Sequence, residues 1–235
     1  MKKVNSIAGF EASNVLEARP DLDPKRSAII VVDMINHQVT PGTGLMKQFE
    51  DGGISTDYIV SRVAELVVPN TGRLIEQART EGARVVFLRV GGVDPDLEDT
   101  LPAGRANLRA WGAIDGTWPC QVISQLAPRP GELSLLKLGS GGFTSSNLDQ
   151  HLRFMGVESL FFTGVLTNVC VLLTAAGAFD LGYSGYLVSD ATATLHDGLQ
   201  TATETIISSF MARVVSTEAA IDLLGNRQSS HAISG

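Results

Sequence analysis

Short runs of consecutive aliphatic residues alternate along the chain with stretches of helical periodicity. Six runs have the pattern of strands, several of them buried on both faces: SAIIVVD, ARVVFLRV, LSLLKL, SLFFTGV, SGYLVSD and RVVST. Apolar residues recur at helical spacing around residues 58–80, 147–155, 168–181 and 199–212. Strands that alternate with helices form right-handed crossovers and hence parallel sheets. The pattern predicts one α/β domain built on a mostly parallel sheet.

Several segments depart from this alternation. Residues 1–25 are polar and weakly patterned, so we expect an N-terminal arm before a domain of residues 26–226. Residues 227–235 are expected to form a C-terminal tail. Pro69 interrupts the first helical segment, and we expect a break or kink there because proline lacks the N–H that a helix needs. Residues 91–132 are irregular, rich in glycine, proline and aspartate, and contain both tryptophans.

Composition and charge narrow the range of partners. The 235-residue chain has a net charge of −7, which argues against nucleic acid or anionic membrane because both require a basic patch. No apolar run reaches the roughly 18 residues that cross a bilayer, and no secretory signal begins the chain. Two cysteines are too few for a disulfide framework. We therefore expect a cytoplasmic protein, and the arm and the apolar stretch AAIDLL are candidates for a subunit interface.

Three reactive side chains fall at the ends of predicted strands. Asp33 ends the first strand, Lys137 ends LSLLK, and Cys170 lies just beyond SLFFTGV in the first turn of the next helix. Pockets in open parallel sheets form outside the carboxyl ends of the strands. The sequence therefore predicts an acid, an amine and a thiol at one edge of the sheet.

This trio suits covalent catalysis by the thiol. A free thiol has a pKa of about 8.5, and we expect the helix N-terminus and Lys137 to lower the pKa of Cys170. Asp33 would accept the thiol proton and later pass it to a leaving nitrogen. The backbone N–H groups of Leu166 and Cys170 would stabilise the oxyanion of a tetrahedral intermediate.

Motifs around these residues resemble those of the isochorismatase-like cysteine hydrolases. The segments that carry the resemblance are IIVVDM with Asp33, LLKLGSGGF with Lys137, and FFTGVLTNVCVLLTAAGAFDLGY with Cys170. It extends from about residue 26 to residue 224 and implies a catalytic triad of these three residues. It also implies a three-layer α-β-α sandwich with a six-stranded, mostly parallel sheet, and a non-proline cis peptide bond at Val165–Leu166. Assembly as a homodimer or homotetramer is a further expectation from this resemblance.

Differences within that family narrow the expected activity. Nicotinamidase-like members bind zinc through an Asp-x-His element and a second histidine after the second strand, where this chain reads LRVGGVDPDLEDTLP, without histidine. We therefore expect no metal and no cofactor. Isochorismatases proper lack the nucleophilic cysteine, so its presence favours C–N hydrolysis. GTGLMKQFEDGG resembles the ureidoacrylate and biuret hydrolase branch. The expected activity is metal-independent hydrolysis of a small amide, carbamoyl or ureido substrate, with release of ammonia or an amine.

Two other functions remain open from the sequence. One is an isochorismatase-type C–O hydrolase in which the thiol is a bystander. The other is a thiol-based redox or ligand-binding protein. No second cysteine lies near Cys170 in sequence to resolve an oxidised thiol, which counts against the redox function.

The residues that contact the substrate are less strongly indicated. Asn36, Trp111, Phe143 and Leu166 are the candidates from the segments around the cleft, and Cys120 is expected to be structural. Four more residues stay open as pocket residues: His37, Arg105, Arg109 and Trp118. An arginine in the pocket would favour an acidic ureido substrate, and an apolar wall would favour an aryl or alkyl amide.

Overall fold

Six parallel strands form the centre of the molecule. The structure, a computed structural model, describes residues 22–225, so the predicted tail and all but residues 22–25 of the predicted arm lie outside the described residues. The strands are β1 (Ser27–Val32), β2 (Arg84–Val90), β3 (Leu133–Lys137), β4 (Ser159–Val165), β5 (Ser184–Ala193) and β6 (Arg213–Val215). They pair in the order β3-β2-β1-β4-β5-β6, and every pairing is parallel. The predicted six-stranded parallel sheet is confirmed.

Helices connect the strands and cover the sheet. They are α1 (Asn36–Val39), α2 (Gly44–Asp51), α3 (Asp57–Arg62), α4 (Val68–Glu81), α5 (Arg105–Ala110), α6 (Leu148–Phe154), α7 (Leu172–Asp180), α8 (Asp197–Phe210) and α9 (Thr217–Leu224). Two π-helical turns, Val63–Val67 and Thr167–Val171, precede α4 and α7. Short 3₁₀ turns are found at Pro24–Arg26, Trp118–Cys120 and Ser124–Leu126. No helix in the described range 22–225 is both long and apolar enough to span a membrane.

The two faces of the sheet are buried by different helices. Side chains alternate between the faces of a strand, so Ile29 and Val31 of β1 point one way while Ala28 and Ile30 point the other. The first face packs against α3, α4 and α9, and the second packs against α6, α7 and α8. Strand β1 is buried at every position. The predicted three-layer α-β-α sandwich is confirmed.

The helix that contains Pro69 changes its hydrogen bonding just before the proline. The Val68 N–H donates to the Val63 carbonyl, which widens the helix by one residue at the π-helical turn. Pro69 then lies in the first turn of α4, where a missing N–H costs little. The backbone stays in the helical region on both sides of this turn, so the expected break is absent at Pro69, and the change is limited to the hydrogen bonding of residues 63–67.

Successive strands are added to one side of β1 up to β3 and to the other side from β4 onward, and this change in strand order opens a crevice at the carboxyl ends of β1 and β4. Val32 pairs with Gly164 at this point, and Gly164 has a φ of +102°. A Cβ atom there would lie 2.0 Å from the Val32 carbonyl oxygen, so only glycine fits. The irregular segment 91–132 lies over the same edge and forms a small apolar cluster that includes Leu108 and Cys120.

Candidate active site

Asp33 is fixed at the carboxyl end of β1 by two backbone contacts with β2. Its N–H donates to the Leu88 carbonyl at 2.9 Å, and its Oδ1 accepts the Val90 N–H at 2.9 Å. The residue is fully buried and has a φ of +49°, a left-handed conformation that aspartate tolerates better than most side chains. The other carboxylate oxygen, Oδ2, is left for an interaction within the crevice.

Lys137 makes that interaction from the end of β3. Its Nζ lies 2.8 Å from Asp33 Oδ2, and neither side chain is exposed to solvent. The same ammonium donates to the Gly139 carbonyl at 3.0 Å and to the Cys170 Sγ at 3.5 Å. Burial alone would lower the pKa of Lys137, but the interactions with Asp33, the main one being its negative charge, and with Cys170 outweigh it and raise that pKa. The lysine is therefore a charged ammonium shared by a carboxylate and a thiol.

Cys170 enters the crevice from the π-helical turn that follows β4. The residue is 9% exposed, and Thr174 Oγ1 donates to its carbonyl at 2.6 Å. Thr174 Oγ1 also accepts the Gly142 N–H at 3.0 Å, which ties the glycine-rich loop after Lys137 to the helix of the cysteine. The predicted meeting of Asp33, Lys137 and Cys170 is confirmed, and these three residues are called the buried triad below.

The expected lowering of the Cys170 pKa is wrong. Burial of the thiol, followed by the negative charge of Asp33, raises the pKa of Cys170 to about 12, and the attraction of Lys137 offsets only part of this. Burial disfavours the thiolate more than one shared ammonium favours it, since that ammonium already pairs with a carboxylate. The resting thiol is therefore protonated at neutral pH, and its proton must leave as it reacts.

The backbone between β4 and the turn of Cys170 leaves one N–H group without a described backbone acceptor. The Val165–Leu166 peptide bond is cis, at the position that the family resemblance implied. The Leu166 carbonyl accepts the N–H groups of Val169 and Val171, at 3.1 and 3.2 Å. Within residues 22–225, no backbone hydrogen bond is donated by the Leu166 N–H. That N–H is available to an acceptor in the crevice.

His37 and Trp111 form a support behind Asp33. The His37 Nε2 lies 2.9 Å from the Val90 carbonyl, and its Nδ1 lies 3.1 Å from the Gln38 Nε2. Burial lowers the pKa of His37, so the ring is neutral, with Nε2–H as the donor to Val90. Trp111 stacks on the imidazole with ring centroids 5.4 Å apart. Because the Val90 N–H holds Asp33, this support positions the carboxylate.

Three of the other candidates for substrate contacts use their side chains in hydrogen bonds to backbone carbonyls outside the triad. Asn36 Nδ2 donates to the Trp118 carbonyl at 2.8 Å, and the Trp118 side chain is 52% exposed. Arg109 donates to the Asp96 carbonyl at 2.6 Å. Arg105 donates to the carbonyls of Glu98 and Thr100, at 3.0 and 3.3 Å. Both arginines thus hold the loop after β2, and their described hydrogen bonds do not involve the triad.

Phe143 packs against aromatic and helical neighbours on the second face of the sheet. Its ring lies 5.5 Å from that of Tyr183, at the start of β5, and packs against Gly177 of α7. Phe143 is partly buried and packs against the core cluster that includes Cys170. Its role as a substrate contact stays a prediction, as does that of Leu166.

Sequence reasoning missed the residues that brace the site. Thr174 is one helical turn after Cys170, a spacing that was visible in the sequence but has many ordinary explanations. The contacts of His37 with Val90 and of Gln200 with Thr167 join segments distant along the chain and left no local signal. Within the part of the chain that the structure describes, no three histidine, cysteine, aspartate or glutamate side chains cluster as metal ligands.

Comparison with known proteins places the chain among proteins of similar sequence and fold. A family model described as "Isochorismatase domain" matches residues 27–219, a range that contains the whole buried triad. Ureidoacrylate amidohydrolase RutB from Caulobacter segnis is 33% identical over 196 residues, which cover 76% of this chain and 78% of that protein.

Two solved structures share the fold. A cysteine hydrolase from Pseudomonas syringae pv. phaseolicola superposes with a TM-score of 0.77 at 25% identity, covering 91% of this chain and 99% of that one. N-carbamoylsarcosine amidase from Thermoplasma acidophilum superposes with a TM-score of 0.62 at 26% identity, covering 82% and 97% of the two chains. The similarity thus spans the sheet and the edge at which the triad lies.

Proposed function

The chain belongs to the isochorismatase family and is a hydrolase that acts on C–N bonds, and from this premise we propose a metal-independent mechanism with Cys170 as the nucleophile. The proposed substrate is a small amide, carbamoyl or ureido compound. Similarity to a ureidoacrylate amidohydrolase and to an N-carbamoylsarcosine amidase supports this class. The proposed product is ammonia or an amine.

The first half of the reaction forms an acyl-enzyme. The Cys170 sulfur attacks the carbonyl carbon of the substrate, and the thiol proton passes to the Asp33 carboxylate. The carbonyl oxygen becomes an oxyanion that accepts hydrogen bonds from the N–H groups of Leu166 and Cys170. The C–N bond then breaks as Asp33 returns the proton to the leaving nitrogen.

The second half releases the acyl group. Asp33 takes a proton from a water molecule, which attacks the carbonyl carbon of the thioester. A second oxyanion forms at the same N–H groups, the C–S bond breaks, and the sulfur regains its proton. The Lys137 ammonium keeps Asp33 ionised between these transfers and stabilises the sulfur when it carries negative charge.

One observation carries the proposal. The fully buried Lys137 Nζ contacts both the Asp33 carboxylate, at 2.8 Å, and the Cys170 sulfur, at 3.5 Å. A cation at this position stabilises the anionic form of whichever partner has lost its proton. The Lys137 ammonium thereby assists transfer of a proton from the Cys170 thiol to the Asp33 carboxylate during the reaction. This assistance offsets part of the cost of ionising a thiol with a high resting pKa.

Ammonia release from a panel of primary carboxamides, N-carbamoyl amino acids and ureido acids tests the proposal. We expect turnover of at least one compound, and a fall in kcat of about a thousandfold or more in Cys170→Ala, because the nucleophile of a covalent mechanism is lost. Cys120→Ala is the matched control, since it removes the same group from the same edge of the sheet, and it should retain turnover. Turnover by Cys170→Ala would reject the thiol as nucleophile. A wild-type protein that is inert to the whole panel would reject the substrate class.

A further inference from the structure

A buried glutamine of α8 contacts the turn that carries the Leu166 N–H. Gln200 is 2% exposed, and its Oε1 accepts the Thr167 hydroxyl at 2.8 Å. Thr167 directly follows Leu166 and begins the π-helical turn that ends beyond Cys170. The glutamine therefore holds the chain at a point between the candidate oxyanion donor and the nucleophile.

The amide of Gln200 is held in one orientation by its partners. Its Nε2 donates to the Thr192 Oγ1 at 3.1 Å and to the Glu204 Oε1 at 2.7 Å. One acceptor and two donors of the side chain are thus in use. The two threonine hydroxyls can donate or accept, but an ionised Glu204 carboxylate can only accept, so exchanging the oxygen and the nitrogen would set two acceptors against each other there. The Oε1 is consequently fixed as the acceptor that faces Thr167.

A second hydroxyl from the end of β5 holds the next residue of the turn. Thr194 Oγ1 donates to the Asn168 Oδ1 at 2.5 Å. Thr192 and Thr194 reach the turn because the pairing of β5 with β4 is irregular, so that Thr192 rather than an earlier residue lies opposite Gly164. Residues 167 and 168 are therefore both tied by side chains that come from β5 and α8.

The small net stability that these hydrogen bonds provide does not explain why a polar side chain is buried here. A buried amide gains little net stability from its hydrogen bonds, and apolar side chains of similar size often stabilise such a site equally well. What three directed bonds do provide is a fixed position for the atom that they hold. The position that is fixed here is that of the turn beside Leu166.

We infer that Gln200 is a positioning residue for the oxyanion-binding turn, acting through Thr167 on the N–H of Leu166. This inference rests on the proposed nucleophilic role of Cys170. Gln200 does not touch the substrate. It keeps the Leu166 N–H aimed at the place where the oxyanion develops, so its loss should affect steps that form an oxyanion and spare steps that form none.

Two reagents that react with the same sulfur separate these steps. p-Nitrophenyl acetate acylates Cys170 through a tetrahedral oxyanion, with the thiol proton passing to Asp33 and p-nitrophenolate leaving. Iodoacetamide alkylates the same sulfur by displacing iodide, with no oxyanion. The rates of p-nitrophenolate release and of alkylation, measured by intact mass, are compared in each variant, with Cys170→Ala as the blank.

Gln200→Met keeps the size of the side chain and removes its hydrogen bonds. We expect it to slow acylation about tenfold, less than the 10²–10³-fold loss seen when an oxyanion donor is removed outright, and to leave alkylation within about twofold of wild type. Thr167→Val should reproduce this pattern and Thr167→Ser should restore acylation. Thr203→Val is the matched control, because Thr203 is similarly buried on α8 and, within residues 22–225, its hydroxyl donates to the Leu199 carbonyl of its own helix and to no residue of the turn.

The outcomes decide the inference independently of the natural substrate. Equal acylation by wild type and by Gln200→Met and Thr167→Val would overturn it, as would a parallel fall of both reactions, which would indicate a displaced sulfur. A wild-type thiol that is alkylated but never acylated would overturn it too. Inertness toward the amide panel together with the expected acylation pattern would reject the proposed substrate class and leave the positioning role standing.

Discussion

The two cysteines of the chain are both buried thiols at the same edge of the sheet, and each has a cation and a carboxylate nearby. Cys170 lies beside Lys137 and Asp33, whose side chains are fully buried. Cys120 lies near Arg89 and Asp115, which form an ion pair of 2.6 Å whose side chains are 15% and 41% exposed. Each thiol thus has a cation and a carboxylate as neighbours, but the charged pair beside Cys170 is shielded from water and the pair near Cys120 is partly exposed.

The pKa of the resting thiol does not distinguish the two sites. Burial, as the largest cause, raises the pKa of Cys120 to about 11 and that of Cys170 to about 12. What differs is the described hydrogen-bond partner of each sulfur. The Cys120 Sγ faces the Val90 carbonyl at 3.8 Å, whereas the Cys170 Sγ faces the Lys137 ammonium at 3.5 Å. A buried thiol of this protein is therefore a candidate nucleophile when a base and a cation shielded from water lie beside its sulfur, rather than when its resting pKa is low.

The largest expected effect comes from breaking the shielded pair. Lys137→Met should lower the free energy of unfolding by about 3–5 kcal/mol, because it leaves the Asp33 carboxylate buried without a partner. Urea denaturation followed by circular dichroism measures this change. Loss of less than about 1 kcal/mol would mean that water reaches the pair, and the contrast between the two thiols would disappear.

The double variant Asp33→Asn/Lys137→Met is the control for that prediction. Asparagine tolerates the left-handed backbone of position 33 and retains an oxygen for the Val90 N–H. With both charges gone, most of the lost stability should return. Turnover should remain absent, since the base and the cation are missing, so stability and activity separate in this variant.

Alkylation by iodoacetamide at different pH values sharpens the contrast between the thiols. Only the thiolate form of a cysteine is alkylated. Because the pKa of Cys170 is raised to about 12, the alkylation rate of Cys170 should rise about tenfold per pH unit without levelling off below about pH 10. Cys120 is fully buried and should stay unmodified over the same interval. Peptide mass mapping measures both. A plateau near pH 7 for Cys170 would contradict the raised pKa.

The smallest expected effect comes from breaking the exposed pair. Asp115→Ala should change the free energy of unfolding by less than about 1 kcal/mol, because an ion pair open to solvent contributes little. Arg89 keeps its bonds to the Ser134 hydroxyl and the Cys120 carbonyl. Turnover should match that of wild type. A loss comparable to that of Lys137→Met, measured in the same urea titration, would show that the two pairs are not different in kind.

The sequence alone predicted that the three triad residues meet, because parallel strands end at one edge of a sheet. Asp33 and Lys137 each end an aliphatic run, and Cys170 follows another after a short turn. Where such a run ends, a buried strand ends, and parallel strands end at one edge. Local patterns and one topological rule therefore carried most of the fold and the three reactive groups.

What the sequence could not supply are contacts between distant residues and the exclusion of water. The His37–Val90 bond and the Gln200–Thr167 bond join residues that periodicity does not relate. The glycine-rich loop gave no direction for Phe143, which turned toward Tyr183. The ammonium beside Cys170 was foreseen, but the direction of the thiol pKa depends on burial, which a sequence shows only indirectly.

The complete burial of Lys137 has a consequence for reagents and enzymes that act on amines. Lys25 and Lys47, the other lysines within residues 22–225, are both exposed. Coupling the folded protein to a solid support through its surface amines would therefore leave the ammonium of the triad untouched. An acetyltransferase likewise has access to the Lys137 amine only before the chain has folded, so acetylation of the folded protein cannot inactivate this site.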